Sequence, residues 1–170
     1  MASLTKCIVV GGVAAIMLGG VASATKSRSE RSAMSFTVYP IGKVLKRGPT
    51  TTIEIDPKYQ DALLGLEGFS HVWVFWWFDR NDTPQKRSTL RVHPRGNRKN
   101  PLTGVFATRS PARPNLIGLT LCKVRSVDGN IIQIDEIDAF DKTPVIDLKP
   151  YIPGYDGSGE GTVPKWLKSK

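Results

Sequence analysis

The residues able to do chemistry are segregated by charge along the chain. Between Asp82 and Asp128 there is no acidic residue, yet the interval carries Lys86, Arg87, Arg91, Arg95, Arg98, Lys99, Arg109, Arg113, Lys123 and Arg125. Residues 128–147 reverse the sign, with Asp135, Glu136, Asp138 and Asp141 against one lysine, Lys142. One reading is a basic face for a polyanion beside an acidic rim that binds hydroxyls or a cation. The other is two solvated loops that pair with each other. Six of the cations fall within residues 86–99, around a Pro-Arg-Gly-Asn turn at residues 94–97 that would push them outward. Arg91, Arg95, Arg98 and Lys99 are the candidate phosphate contacts.

Other chemistries find little support. Cys7 and Cys122 are far apart and make neither a zinc pattern nor a disulfide framework. His71 and His93 are too few for a histidine-rich metal site, so no metal is expected. Ser70 and His71 lack the glycine elbow of a hydrolase nucleophile. The tryptophans Trp73, Trp76 and Trp77 could stack a base, but an apolar run such as theirs is mostly core. The net charge of +9 favours an anionic partner.

Short elements must position these residues. Twelve prolines and sixteen glycines imply many turns and few long helices. Residues 37–45 read as a first strand and residues 51–55 as a second. Asp56-Pro57 opens a short helix over residues 57–64, with Asp56 as cap. Residues 71–78 (HVWVFWWF) read as a strand buried on both faces. Residues 89–93 and 104–108 are two further strands. Residues 116–127 and 130–139 flank Asp128-Gly129, a hairpin signal. In its second arm Ile132 and Ile134 are followed by Ile137, a slip of phase that predicts a bulge near Asp135. Residues 145–148 are a last strand and residues 157–170 a polar tail. The expected fold class is all-β, a small barrel with one short rim helix. No strand followed by GxGxxG is present, which argues against a doubly wound nucleotide fold.

The N-terminus reads as an export signal: Lys6, an uncharged apolar run over residues 7–21, then Ala22-Ser23-Ala24. The apolar run of roughly 15 residues is short of the about 20 a spanning helix needs. The expected organisation is a signal peptide over residues 1–24, a flexible lead-in over 25–35, a domain over 36–156 and the tail. Cleavage after Ala24 would leave no stable membrane span and place the protein outside the cell or in its envelope; an unprocessed chain would be cytoplasmic.

The run over residues 104–119, GVFATRSPARPNLIGL, closely resembles the signature of the TsaA/TrmO family. Gly65-Leu66-Glu67-Gly68-Phe69-Ser70-His71-Val72-Trp73 resembles its GLEGFSHxW, and His93-Pro94-Arg95-Gly96-Asn97 its HPRG variant. Residues 143–151, TPVIDLKPY, resemble its TPVxDIKPY. Many members carry a PRQ-type loop after the first strand, where this chain has Lys46-Arg47-Gly48-Pro49. The resemblance implies a small β-barrel methyltransferase, usually a homodimer, that uses S-adenosylmethionine on N6-threonylcarbamoyladenosine of tRNA. It also implies cofactor contacts at Asp79, Arg80, Arg109, Leu119 and the segment Asp135, Glu136, Ile137 and Asp138. Arg109 suits a carboxylate, and Asp135 or Asp138 suits ribose hydroxyls. No residue is assigned a catalytic role. A non-catalytic, exported module that binds S-adenosylmethionine or an anion is the alternative.

Overall fold

The computed structural model describes residues 35–157, 159 and 161–168. The expected signal peptide lies outside them. Eight strands form: β1 (Gly42–Arg47), β2 (Thr50–Ile55), β3 (His71–Trp77), β4 (Arg91–Val92), β5 (Thr103–Gly104), β6 (Ile117–Asp128), β7 (Ile131–Ile134) and β8 (Pro144–Pro150). Six of them close a barrel in the order β1-β2-β7-β6-β3-β8, every neighbour antiparallel. The seam is short: Gly42 pairs with Val145 and Lys43 with Pro144.

Period-two alternation gives the barrel its interior. Val44, Ile53, Val72, Val74, Ile132 and Val145 are fully buried. Each such side chain contributes about 1.5–3 kcal/mol by leaving water. Cys122 shares this interior, and burial, aided by the charge of Asp135, pushes its thiol up to about 12. The thiol is therefore protonated and inert at neutral pH.

The strand over β3 departs from the two-faced burial expected of it. Val72, Val74 and Trp76 are buried, while His71, Trp73, Phe75 and Trp77 are half-buried on the outer face. A closed barrel has only one interior, so its outer face is shielded only by cross-strand neighbours. Tyr151 lies edge-on to both His71 and Trp73, and Lys149 over Phe75.

The expected hairpin forms, with Gly129 in the left-handed region at φ 56°. Its bulge sits on the opposite arm: Val124 pairs with Ile134 and Ser126 with Gln133, so Arg125 is the extra residue. β7 then stops at Ile134, because the side chain of Asp135 replaces a backbone carbonyl. Its Oδ1 accepts from Lys123 N at 2.8 Å while Asp135 N donates to Lys123 O at 3.2 Å. That substitution accounts for the phase slip before Ile137.

The first strand starts only at Gly42. The expected helix is a 3-10 helix, Pro57–Leu63, capped by Asp56, whose Oδ1 accepts from Lys58 N; its Leu63 is buried in the core. The strands expected at 89–93 and 104–108 shrink to the two-residue pair β4–β5, separate from the barrel. Pro94 opens a 3-10 turn that ends the first, and residues Val105–Ala107 turn into a 3-10 segment after the second. Among the described residues the C-terminal part holds two single-turn helices, Pro153–Asp156 and Lys165–Lys168. Among the described residues no helix is long and apolar enough to cross a membrane.

Candidate ligand groove

The site is built at the Trp77–Ile117 end of the β3–β6 pair. Trp76 faces Gly118 across the ladder, and its indole occupies the space where a Cβ on Gly118 would stand. The indole N–H donates to Thr120 Oγ1 at 3.2 Å. Phe78 lies edge-on to Trp76, with ring centroids 4.5 Å apart. Phe78 N donates to Leu116 O, which extends the pairing one step beyond the strand.

The loop over residues 105–116 closes the other side, and its own hydroxyls knit it. Thr108 Oγ1 donates to Val105 O and accepts from Ser110 N; Ser110 Oγ accepts from Ala112 N. Buried Val105 and Leu116 anchor its two ends. A clamp holds the loop to the end of β3. Arg87 donates to both oxygens of Asp82, at 2.7 and 2.9 Å, and its Nη1 to Pro114 O at 3.3 Å. Trp77 Nε1 donates to the same carboxylate. Hydrogen bonds from Arg87 hold the Asp82 carboxyl below its ordinary value.

Between loop and barrel runs a groove of about 480 Å³. Phe75, Trp76, Phe78 and Phe106 supply aromatic surface; Arg109 and Arg113 supply guanidinium groups; Asp138 supplies a carboxylate. Thr108, Asn115 and Thr120 add neutral polar groups, and Ile117 and Leu119 an aliphatic strip. The size falls within the range of small-molecule sites. Arg109 is exposed and makes no hydrogen bond or ion pair with any described residue, so its fork is available. A planar heterocycle fits the aromatic wall, a carboxylate the guanidinium groups, and a hydroxyl or amino group Asp138. S-adenosylmethionine carries all of these groups.

Of the residues expected at the cofactor, Arg109, Leu119 and Asp138 meet in this groove. The others do not join them. Asp135 and Glu136 line a second, more open cavity of about 320 Å³ with Pro49, Thr50 and Arg125. Asp135 is engaged with the Lys123 amide. Ile137 is buried, and its carbonyl accepts from Lys46 Nζ at 2.9 Å. Asp79 and Arg80 form an exposed turn after β3, where Arg80 stacks 4.1 Å over the Phe140 ring. Sequence reasoning missed Phe75, Phe78, Arg113, Asn115 and Thr120. Arg113 and Asn115 stood inside the long motif; the aromatics were hidden in a run that reads as core.

The basic loop is separately organised. His93 Nδ1 meets Asn100 O at 2.8 Å, and Asn100 Nδ2 donates to Pro94 O at 2.9 Å. These two contacts brace a turn in which Arg95 adopts φ 59°, a left-handed conformation unfavourable for arginine. Arg91, Arg95, Arg98 and Lys99 are all exposed, and no ion pair among the described residues joins them to the acidic segment. Arg87, in contrast, serves the clamp. His71, with Ser70 Oγ 2.9 Å from its Nδ1, lies on the outer barrel face. Among the described residues no group of three His, Cys, Asp or Glu side chains could hold a metal ion.

A family model described as the tRNA-methyltransferase O N-terminal domain matches residues 33–157. A protein of Pyrococcus horikoshii named a probable S-adenosyl-L-methionine-binding protein is 45% identical over 122 residues, covering 72% of this chain and 87% of that one. The tRNA (adenine(37)-N6)-methyltransferase of Mus musculus is 46% identical over 97 residues, covering 57% of this chain but only 22% of its own length. The crystal structure of TrmO from Pseudomonas aeruginosa superposes with a TM-score of 0.59 at 29% identity, over 76% of this chain and 62% of that chain. The chain thus spans less than two thirds of that solved relative. Barrel, groove and matched residues together place this chain in the TsaA/TrmO family.

Proposed function

We propose that the groove binds S-adenosylmethionine and that the domain transfers its methyl group to an adenine base of tRNA. The observation that carries this reading is the convergence of Arg109, Leu119 and Asp138 with an aromatic wall in one groove. The names of the Pyrococcus and mouse relatives support ligand and acceptor respectively. Bound S-adenosylmethionine supplies a methyl group on a sulfonium, already activated for transfer. The protein therefore needs to orient and to exclude water rather than to supply a nucleophile. Arg109 and Arg113 would hold the carboxylate, the rings of Trp76 and Phe78 the purine, and Asp138 a ribose hydroxyl.

The basic loop is read as the tRNA contact. Arg91, Arg95, Arg98 and Lys99 lie on one short segment, exposed and in no ion pair among the described residues, as phosphate contacts require. A homodimer is also proposed, on the resemblance to a family whose members are usually dimers. Sedimentation of the full chain at micromolar concentration should give twice the monomer mass.

The test of function is transfer of a labelled methyl group from S-adenosylmethionine to threonylcarbamoylated tRNA by the full chain. Incorporation at adenine, lost in Arg109→Ala, is expected; binding of cofactor without incorporation would favour the alternative. That second reading, an exported binding module, is favoured by one feature, the sequence Lys6, apolar run and Ala22-Ser23-Ala24. Intact-mass measurement of protein from its native host decides it, since cleavage would make Thr25 the first residue.

A further inference from the structure

The hydrogen bond from the Trp76 indole to Thr120 leaves one proton unassigned. A threonine hydroxyl has one O–H and two lone pairs, whereas an indole N–H only donates. Trp76 therefore occupies a lone pair of Thr120 Oγ1, at 3.2 Å, and the hydroxyl proton must point elsewhere. No acceptor among the described residues takes it. Trp76 itself is fixed: it is 5% exposed, Phe78 packs against its edge, and Gly118 leaves only enough room for the indole. A fixed donor on one side orients the hydroxyl. Thr120 is half-buried and lines the groove beside Phe78 and Asp138.

We propose that Thr120 is a specificity residue whose O–H donates to a ring nitrogen of a purine bound against Trp76 and Phe78. This rests on the reading that the groove takes an adenosyl ligand. The purine is favoured over the carboxylate end because Thr120 is bonded to the indole of Trp76, part of the aromatic wall. The guanidinium groups of Arg109 and Arg113 belong to the loop and already suit the carboxylate. Donation to a ring acceptor also discriminates, because a base with an N–H at that position would face a second donor.

The experiment uses two ligands on the full chain. S-adenosylmethionine has both the purine and the carboxylate; 5′-methylthioadenosine has the purine alone. Thr120→Val removes the hydroxyl at nearly constant volume and should weaken both ligands equally, by about three- to tenfold, the range for a neutral hydrogen bond. Thr120→Ser should bind both as the unaltered chain does. Arg109→Ala should weaken only S-adenosylmethionine. Thr120→Val also orphans the indole N–H, so Trp76→Phe and Trp76→Phe/Thr120→Val form a second pair in which no N–H is stranded. The threonine-dependent loss should persist between them. If the hydroxyl only satisfies Trp76, Thr120→Val will shift the indole N–H resonance and lower Tm but leave both affinities unchanged. That result overturns the assignment. An unaltered chain that binds neither ligand overturns the cofactor reading and the role of Thr120 together. One that binds both, with Thr120→Val equal to it, overturns Thr120 alone.

Discussion

At the scale of single residues, Gly118 shows how one position shapes the site. Its motif, IGL, gives no hint of the reason, which is the indole of Trp76 lying where a side chain would be. Gly118→Ala forces that ring outward into the groove or distorts β6. The expected cost is about 1–3 kcal/mol, the usual range for overpacking, read as a lower urea midpoint at unchanged m. An unchanged midpoint would show that Trp76 swings aside freely. That Arg109 lines the groove was legible because it sits inside a long, ordered motif. Thr120 was not, because a lone threonine on a strand carries no sign of what its hydroxyl meets. The segment Asp135, Glu136, Ile137 and Asp138 read as one ligand-binding stretch. In the fold it divides, with Asp135 capping a strand, Ile137 buried and only Asp138 in the larger groove.

Elements bring these residues together, and two of them make testable claims. The Asp82–Arg87 clamp ties the turn after β3 to Pro114 and so sets the position of Arg109 and Arg113. Asp82→Ala should free Arg87 and speed amide exchange over residues 109–115, leaving exchange in β6 unchanged. The pH dependence has a definite sign. The folded-state carboxyl lies below its ordinary value, so its contribution is present above that value, about pH 4, and is lost as pH falls through the folded one. The loop should therefore loosen on acidification, and Asp82→Ala should abolish that pH dependence. The second element is the basic turn. Arg95→Ala with Arg98→Ala should flatten the salt dependence of RNA binding by one to two contacts, each worth roughly 0.7 log units per tenfold salt. S-adenosylmethionine affinity should be untouched. If the double variant loses thermal stability and no salt-dependent RNA binding is found, the loop is a structural element only. The sequence pattern placed this turn, and Asp128-Gly129 placed the hairpin, where Gly129 takes φ 56°. It overstated β4 and β5, because strand propensity cannot register the 3-10 turns that begin at Pro94 and Val105. It overstated the burial of β3, because a run of eight largely apolar residues reads alike whether one face or two is covered.

For the whole molecule, barrel closure is what converts scattered motifs into a site. The TPV motif enters β8 at the seam, the GLEGFSHxW motif enters β3, and the long motif supplies the loop and β6. Short strands and a single short rim helix were visible in the spacing of apolar runs. The order β1-β2-β7-β6-β3-β8 was not, since pairing of β2 with β7 and β3 with β8 joins segments far apart in sequence, Thr51 with Ile134 and Val72 with Pro150. If each chain holds one S-adenosylmethionine in this groove, calorimetric titration of the full chain with that ligand shows it. The expected result is saturable binding at one equivalent per chain, weakened by about 1.5–3 kcal/mol in Arg109→Ala, the range for a hydrogen bond to a charged group. No binding by the unaltered chain, or equal affinity in Arg109→Ala, would contradict it.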